Sequence, residues 1–350
     1  MLAERFTGKN ITLPILGNLL IETEENRLFI TATNLEYAAH LSCAGKGTGK
    51  GKISVPAKIL STLIQSIKED KMDLEGLQGN LVVSTESRRT KINGVPADDF
   101  PLLPKIKKQT GFKLDLSFLK GGLAKVLPAV ATSEFKPELT GVLLHASGQE
   151  LKLAATDTFR LAEQKMEISN LEGKEGARFI LPRAVAQEMA RIPTEGEARI
   201  ILGDNQILIE ADGIRIYSRL IDGSFPDYTG IIPKDFGAKS FVAHGDFTGA
   251  IRSASIFASK IQEVTLSFHE KDLEVLSQNP EIGEQKILLP ASSTGEEIEV
   301  SFNYRYLLDG LGVLDEEEVF LGCNKENQPS LLRNKSDGSF FYILMPIRLT

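Results

Sequence analysis

The sequence has 350 residues, 42% hydrophobic and 25% charged, which is the balance of an ordinary globular protein with material for two or three domains. Its 40 basic and 47 acidic residues give a formal net charge of −7, which by itself argues against a general nucleic-acid coat and against an anionic membrane surface. The two distant cysteines exclude a disulfide scaffold, and no apolar run is long enough for a signal peptide or a membrane span. We therefore expect a cytoplasmic protein.

Short apolar runs with a period of two follow one another along the chain and predict β-strands. In chain order these runs lie at 11–22, 27–33, 81–85, 141–146, 150–156, 198–202, 206–211, 214–220, 264–268, 273–277 and 340–349. Segments with helical periodicity separate some of them, at 57–67, 117–130, 183–192 and 246–260. Because Pro346 cannot donate to a ladder, the last strand should end there or lie at a sheet edge.

The pattern repeats at about 120 residues, which is the period of two independent features. A strand running into a helix begins at Val55, again at Leu181 and again at Phe302, with spacings of 126 and 121 residues. A strand ending in a polar corner recurs, at offsets of 123 and 122 residues, at 28–34, 151–157 and more weakly 273–279. One shared period predicts three similar α+β domains.

The domain boundaries predicted from this period are 1–110, 111–237 and 238–350. The helix that opens the second and third repeats would fall, one period earlier, mostly before Met1. Either the first domain lacks a strand and most of a helix, or the present sequence starts late. In both cases we expect residues 1–6 to be the last turn of that helix.

Charge is segregated by element. The four helical segments carry two acidic residues, Glu188 and Asp246, and seven basic ones, so that they hold +5 and the remainder −12. One interpretation is the solvated polar face that any surface helix shows, and the other is sequence-independent contact with phosphates. The basic residues are Lys58, Lys120, Lys125, Arg183, Arg191, Arg252 and Lys260.

No motif indicates catalysis, a metal or a cofactor. The Gly/Lys segment 44–52 fits neither a phosphate-binding loop nor a dinucleotide fingerprint, and we interpret it as a hairpin loop. A nucleophile elbow is absent, and the four histidines do not have metal-ligand spacing. We predict a protein that is not an enzyme and that needs no cofactor or metal ion.

Nine segments, in the right order over the whole chain, resemble the bacterial sliding clamps, the beta subunits of DNA polymerase III. The most specific are RLIDGSFPDY (219–228) and the MPIRL terminus. The others are TLPILGNLL (12–20), VPAK (55–58), DDFP (98–101), LTGVL (139–143), ATDTFRLA (155–162), LPR (181–183) and FNYRYLLDGL (302–311).

This resemblance implies a head-to-tail homodimeric ring of six similar domains, with sheets outside and helices lining the hole. The ring would encircle duplex DNA without reading its sequence and tether the replicative polymerase, giving processivity in DNA replication. The clamp loader and other proteins with a clamp-binding motif would be further partners. The basic helices and acidic remainder agree with this arrangement.

The resemblance and the charge pattern predict three sets of site residues. A partner-peptide pocket would involve Leu139, Thr156, Phe159, Arg160, Leu161, Pro226, Ile231, Asn303, Tyr306, Ile343, Leu344, Met345, Pro346, Ile347 and Arg348. DNA contacts would involve Lys9, Lys58, Lys120, Lys125, Lys136, Arg183, Arg191, Arg252 and Lys260. The apolar contact between subunits would involve Phe100 and Ile256.

Two departures from the family bear on the pocket. Thr158-Phe159 stands where clamps usually have Gly-His, which predicts a more apolar pocket, and Gly230 stands where a basic residue is common. Two other hypotheses stay open at this point. The short N-terminus suggests an open or monomeric clamp-like binding module, and an enzyme of unknown class on an α+β scaffold is the poorer alternative.

Overall fold

The structure is a computed structural model that describes residues 2–8, 12–47, 49–107, 109–173, 176–325 and 327–348. Within these ranges it contains 24 strands and five α-helices. The chain divides into two compact units. Unit 1 comprises Met1–Phe118, Ile168–Glu175 and Arg191–Leu220, and unit 2 comprises Leu119–Glu167, Gly176–Ala190 and Ile221–Thr350.

The strands are numbered in chain order. The first twelve are β1 Asn18–Glu24, β2 Arg27–Thr33, β3 Tyr37–Ala44, β4 Gly51–Pro56, β5 Asp73–Leu77, β6 Asn80–Ser84, β7 Arg89–Asn93, β8 Thr110–Asp115, β9 Gly141–Ser147, β10 Glu150–Thr156, β11 Arg160–Glu167 and β12 Ser169–Glu172. The others are β13 Ala177–Pro182, β14 Glu197–Leu202, β15 Gln206–Ala211, β16 Ile214–Arg219, β17 Ala238–Ala243, β18 Glu263–Phe268, β19 Asp272–Asn279, β20 Gly283–Gly295, β21 Glu299–Asn303, β22 Glu318–Cys323, β23 Ser330–Asn334 and β24 Phe340–Leu344.

The α-helices are short and amphipathic. They are α1 Ala57–Ser66, α2 Leu116–Val126, α3 Arg183–Met189, α4 His244–Ala254 and α5 Tyr304–Leu311. None of the helices in the described ranges combines the length and the apolar character that crossing a bilayer requires.

Unit 1 is built on a nine-stranded antiparallel sheet with the order β12-β8-β14-β15-β16-β3-β2-β1-β4, beside a three-stranded sheet β5-β6-β7. Alternation along β1 buries Leu19 and Ile21, and α1 adds the buried Leu60. The ladder between β16 and β3 pairs Ile216 with Ala39, both fully buried, so the sheet runs without a break through this point.

Unit 2 is built on a twelve-stranded sheet with the order β13-β9-β10-β11-β24-β23-β22-β17-β20-β19-β18-β21. The ladder between β11 and β24 pairs Leu161 with Ile343, and both side chains are 1% exposed. Strand β20 is long enough to pair with β19 over its first part and with β17 over its last. Burial of these apolar faces supplies most of the driving force for folding of the unit.

The predicted repeat is visible in the local structure. All five α-helices in the described ranges follow directly on a strand, and α1 after β4, α3 after β13 and α5 after β21 are the three copies of the predicted junction. The helices that open the second and third repeats, α2 and α4, follow β8 and β17. The polar corners also match: Thr33 Oγ1 donates to the carbonyl of Tyr37 at 3.1 Å, and Thr156 Oγ1 donates to that of Arg160 at 2.7 Å. The segment 28–34 and its copy 151–157 therefore fold into the same strand and turn.

Several element predictions were wrong in their bounds. The helices predicted at 183–192 and 246–260 end at Met189 and Ala254. The strand predicted at 11–22 begins only at Asn18, because Pro14–Gly17 forms a 3-10 turn first. The helix predicted at 117–130 ends at Val126 and gives way to a 3-10 turn that contains Pro128. By contrast, β24 ends at Leu344, which confirms that the last strand cannot continue through Pro346.

The helical periodicity of these segments also predicts which side chains face the core. Val185, Met189 and Ile192 are buried as expected. In 57–67, a spacing of about 100° per residue puts Ile59 on the apolar face and Ser61 on the polar one, but in α1 Ile59 is 56% exposed and Ser61 is 1% exposed. The helix begins at Ala57, and its buried line runs through Ala57, Leu60 and Ser61, which turns the buried face away from Ile59.

Candidate functional site

The floor of the candidate pocket is a buried apolar cluster in unit 2. Leu139, Leu161 and Ile343 belong to it, together with Phe225 and Tyr228. Strands β11 and β24 place Leu161 and Ile343 as cross-strand partners, because the ladder between them pairs these two positions. Tyr228 is held in the cluster by its hydroxyl, which donates to Glu163 at 2.6 Å.

One wall of the pocket is the segment after β24. The backbone N–H of Met345 donates to the carbonyl of Phe159 at 2.9 Å, and that of Ile347 donates to the carbonyl of Ser301 at 2.8 Å. Pro346 lies between these two donors and has no N–H. A cavity of about 490 Å³ borders this wall, and both Ile231 and Met345 line it.

The polar corner between β10 and β11 adjoins this wall through the Phe159 carbonyl. Thr156 Oγ1 accepts from the Thr158 N–H at 3.1 Å, and Asp157 Oδ1 accepts from the N–H groups of Phe159 and Arg160 at 3.0 Å each. Short polar side chains that bond to backbone two and three residues on are what favour a tight turn here. The corner is consequently held by side chains as well as by the ladder.

Arg160, Phe159 and Tyr306 form an aromatic and cationic group beside the corner. The ring centroids of Phe159 and Tyr306 are 6.4 Å apart with 27° between the planes, and the Arg160 guanidinium carbon lies 4.3 Å from the centroid of Tyr306. Tyr306 comes from α5, whose N-terminus is capped by Asn303 accepting from the Arg305 N–H at 2.9 Å. Sequence positions 160 and 306 thus meet in one site.

Arg160 is fixed by oxygen partners on three sides. Its Nε donates to Asp157 Oδ2 at 2.8 Å, and its Nη1 donates to Asp309 and to the Tyr342 hydroxyl. Burial alone would lower the pKa of Arg160, but Tyr342 and these hydrogen bonds outweigh it and raise the pKa. Burial, followed by the charge of Asp157, raises the pKa of Tyr306, so its hydroxyl stays protonated.

The remaining pocket residues occupy two environments. Leu344 is 1% exposed and pairs with Arg160 and Ser330 in the sheet, so it supports the site from the core. Pro226 and Arg348 are exposed at the surface. Sequence reasoning missed Asp157, Asp309 and Tyr342, which hold Arg160. Only Asp157 had a sequence signal, the turn-forming spacing before Phe159 and Arg160.

The basic residues predicted to contact DNA differ in exposure. Those that are exposed are Lys58, Lys136, Arg191, Arg252 and Lys260. Lys120 and Arg183 are half-buried. Lys125 is drawn inward, with its Nζ 3.5 Å from Asp315 and 5.7 Å from the Phe340 ring centroid. Lys9 lies outside the described residues.

The two residues predicted for the subunit contact also differ. Ile256 is 68% exposed, as an interface residue of a single chain should be, whereas Phe100 is 5% exposed within unit 1. Leu102 lies two residues later and is 96% exposed, so it presents the apolar surface that Phe100 does not. Sequence reasoning missed Leu102, although an apolar residue between Pro101 and Pro104 outside any predicted strand was the available signal.

No group of three or more His, Cys, Asp or Glu side chains suited to a metal ion occurs among the residues that the structure describes. The site features are a pocket, a strongly hydrogen-bonded corner and a set of surface cations. They are the features of a binding protein.

The repeated domains, joined through ladders such as β3 with β16 and β11 with β24, define a DNA clamp fold. Family models match successive parts of the chain: the DNA polymerase III beta subunit N-terminal domain over residues 3–104, its central domain over 113–227 and its C-terminal domain over 229–348. The protein belongs to the DNA polymerase III beta subunit family.

Individual relatives agree with this assignment over nearly the whole chain. The beta sliding clamp of Staphylococcus epidermidis is 30% identical and covers 96% of this chain and 93% of its own. The solved beta subunit of Thermotoga maritima has a TM-score of 0.93 at 26% identity over 100% of this chain and 96% of its own. A Pseudomonas aeruginosa sliding clamp bound to griselimycin has a TM-score of 0.94 at 27% identity over 99% and 95%.

Three similar α+β clamp domains, the predicted fold class, are therefore confirmed. So is the predicted resemblance to bacterial sliding clamps. The comparisons favour a sliding clamp over the open or monomeric module that was the alternative hypothesis.

Proposed function

We propose that this protein is a cytoplasmic sliding clamp of DNA replication, a head-to-tail ring of two copies that encircles duplex DNA and tethers the replicative polymerase. The observation that carries the proposal is the succession of three clamp-domain matches between residues 3 and 348. The domain boundaries 1–110, 111–237 and 238–350 belong to the proposal. The protein has no catalytic role in it and needs no cofactor.

Sliding requires contacts to DNA that are attractive but individually weak. Lys58, Arg252 and Lys260 are exposed cations on or beside helices, and phosphates attract them without regard to base sequence. Such contacts exchange quickly at physiological salt because exposed charges are screened beyond about 8 Å. In a ring, closure rather than affinity keeps the protein on DNA, and the weak contacts leave it free to move.

Partner proteins would dock in the pocket of unit 2. An apolar floor at Leu161 and Ile343, a wall at Met345 and an aromatic side at Phe159 and Tyr306 suit a short peptide with apolar side chains. We infer that the polymerase, the clamp loader and other clamp-motif proteins use it. Griselimycin is bound to the Pseudomonas aeruginosa clamp, and we infer that it would occupy this pocket in the present protein, where it serves as a second probe.

The ring requires a dimer, so the oligomeric state tests the proposal. Size-exclusion chromatography with light scattering at micromolar concentration should give twice the chain mass of 38.3 kDa. Ile256→Asp should give the monomer, because a carboxylate would be buried in an apolar contact. Phe135→Asp is the matched control, since this residue is 96% exposed but is not assigned to the interface, and it should stay dimeric.

Wild-type protein that is only monomeric at this concentration would contradict the ring. A dimeric Ile256→Asp variant would leave the ring intact but remove Ile256 from the contact.

A further inference from the structure

Thr158 adopts a backbone conformation that its side chain disfavours. Its φ is +79°, and among the described residues it is the only β-branched one with a positive φ. A branched Cβ makes the left-handed region costly, and such strain persists only where the surroundings enforce it. Strained residues of this kind concentrate at functional sites, so the position invites a functional explanation.

We propose that Thr158 is a positioning residue of the partner-peptide pocket: its left-handed corner fixes the carbonyl and the ring of Phe159, and through them it anchors the wall formed by residues 345–348. The proposal rests on the proposed function, because it gives Thr158 a role in the pocket that partners are inferred to use. It does not require Thr158 to touch the peptide.

The corner enforces its own geometry. Thr156 Oγ1 accepts from the Thr158 N–H at 3.1 Å and donates to the Arg160 carbonyl at 2.7 Å. Asp157 Oδ1 accepts from the next two N–H groups, those of Phe159 and Arg160. Each of the three amides from Thr158 to Arg160 is therefore held by a side chain, and relaxing Thr158 to negative φ would break these hydrogen bonds.

The pocket wall depends on this corner for one of its two backbone anchors. Residues 345–348 belong to no strand, and the Met345 N–H donates to the Phe159 carbonyl while the Ile347 N–H donates to the Ser301 carbonyl. A change of φ at Thr158 would turn the adjoining Phe159, moving its carbonyl away from Met345. It would also carry away the Phe159 ring, which is 59% exposed and is stacked on Tyr306.

Unit 1 contains the same corner without the same wall. Leu35 has a φ of +78°, and its N–H donates to Thr33 Oγ1 at 3.0 Å. The Glu36 carbonyl accepts from the Arg219 N–H at 2.8 Å, as that of Phe159 does from Met345. The corner is thus a recurring element of the fold, and in unit 2 it anchors the segment that carries the pocket residues Met345 and Ile347. Leu35 is the matched control position.

The first experiment compares binding of two probes, a synthetic peptide with a clamp-binding motif and griselimycin, by calorimetry. Thr158→Pro forces φ to about −65° and removes the N–H donor, so affinity for both should fall roughly tenfold. Leu35→Pro imposes the same change on the control corner and should leave affinity within about twofold of wild type. Thr158→Asn should also bind like wild type, because Asn tolerates the left-handed region.

A second pair of variants covers the case in which the proline variants fail to fold. Thr156→Val removes the hydroxyl that holds Thr158, and Thr33→Val makes the same change at the control corner. Hydrogen exchange of the Met345 amide should become roughly tenfold faster in Thr156→Val and stay unchanged in Thr33→Val. In Thr33→Val the faster amide should be that of Arg219.

Three results would overturn the proposal. Folded Thr158→Pro that binds both probes like wild type shows that the corner does not position the pocket. Unchanged exchange at Met345 in Thr156→Val shows that the corner does not anchor the wall. Wild-type protein that binds neither probe removes the pocket itself, and with it the proposed docking function, whatever the exchange data show for the corner.

Discussion

At the scale of single residues, the site depends on polar groups that have nearly all of their hydrogen-bond partners. Arg160 is the clearest case. Asp157, Asp309 and Tyr342 all accept hydrogen bonds from it, and its guanidinium lies over the ring of Tyr306. A partly buried guanidinium is tolerable only when its donors are satisfied, because an unpaired buried charge costs several kcal/mol. The apolar pocket can therefore lie directly beside a charge without becoming polar itself.

Met345 is the pocket residue best suited to a simple test of binding. It is half-buried, it lines the cavity of about 490 Å³, and its side chain is not part of the buried cluster. Met345→Ala should weaken binding of a clamp-motif peptide by roughly 1–2 kcal/mol through lost apolar contact while leaving the dimer intact. Isothermal calorimetry measures the first and light scattering the second.

Met72→Ala is the matched control, because it truncates a methionine that is 37% exposed in unit 1. Its peptide affinity should equal that of the wild type. Equal affinities for Met345→Ala and Met72→Ala would remove Met345 from the pocket.

How far the sequence predicted single residues depended on what each pattern contains. The corner spacing of Thr156, Asp157 and Arg160 is local, so its turn was visible in the sequence and its copy 123 residues earlier strengthened it. The backbone strain at Thr158 was not visible in the sequence, because the hydrogen bonds of neighbouring residues impose its positive φ. Arg160 meeting Asp309 and Tyr342 was likewise invisible, since such contacts depend on how distant strands and helices pack.

At the scale of elements, periodicity predicted the type of the elements that it marked, but it missed several strands, among them β3, β11 and β22, and it placed element ends poorly. Strand and helix types followed from the apolar period, but Pro14 and Pro128 moved boundaries that hydrophobicity alone did not mark. Helix α1 shows a different error. Ile59 and Ser61 lie about 200° apart around the helix, so their exchanged environments mean that the helix is rotated about its axis relative to the face that its apolar residues mark. Packing against the sheet decides that rotation.

An acid-sensitive contact joins α2 to the loop before β22. Asp315 Oδ1 accepts from Asn334 at 2.6 Å, and the Asp315 carboxylate lies 3.5 Å from Lys125 Nζ. The hydrogen bond from Asn334 lowers the pKa of Asp315 below its usual 3.8, burial opposes this, and Lys125 lowers it further. A depressed folded pKa stabilises the fold above the unfolded pKa, and that stability is lost as pH falls through the folded value.

Asp315→Asn should therefore flatten the acid side of the stability profile. Between about pH 4 and pH 2 the thermal midpoint of the variant should fall less steeply than that of the wild type, while at pH 7 the variant should be less stable by at most about 1 kcal/mol. Calorimetric melting across this range measures both effects. Asp212→Asn, at an exposed turn, is the control, and a slope for Asp315→Asn equal to that of the wild type would contradict the prediction.

At the scale of the whole molecule, the net charge of −7 is less informative than its distribution. Four helical segments carry +5 and the remainder −12, so an acidic protein presents basic elements. In a ring, the basic helices would attract phosphates, and the acidic remainder would discourage unspecific adsorption of DNA to the outside. Total composition argued against nucleic acid, whereas composition resolved by element predicts it as a partner.

The repeat also explains why the sequence predicted the architecture so fully. The same strand-to-helix junction occurs at β4 and α1, at β13 and α3 and at β21 and α5, so a short pattern seen three times constrains the entire chain. The candidate pocket was harder to predict from residues alone, because Leu139, Tyr306 and Met345 come from distant stretches. The family resemblance, rather than periodicity, proposed that they meet.

Retention on DNA as a function of DNA topology is the most direct test of the central claim. After loading onto nicked circular duplex by a bacterial clamp loader with ATP, the protein is passed through a gel-filtration column at about 0.15 M salt, where weak phosphate contacts alone do not hold a protein for long. We predict that it elutes with the circular DNA and is lost once a restriction enzyme linearises that DNA. Equal retention on circular and linear DNA, or none on either, would contradict an encircling clamp.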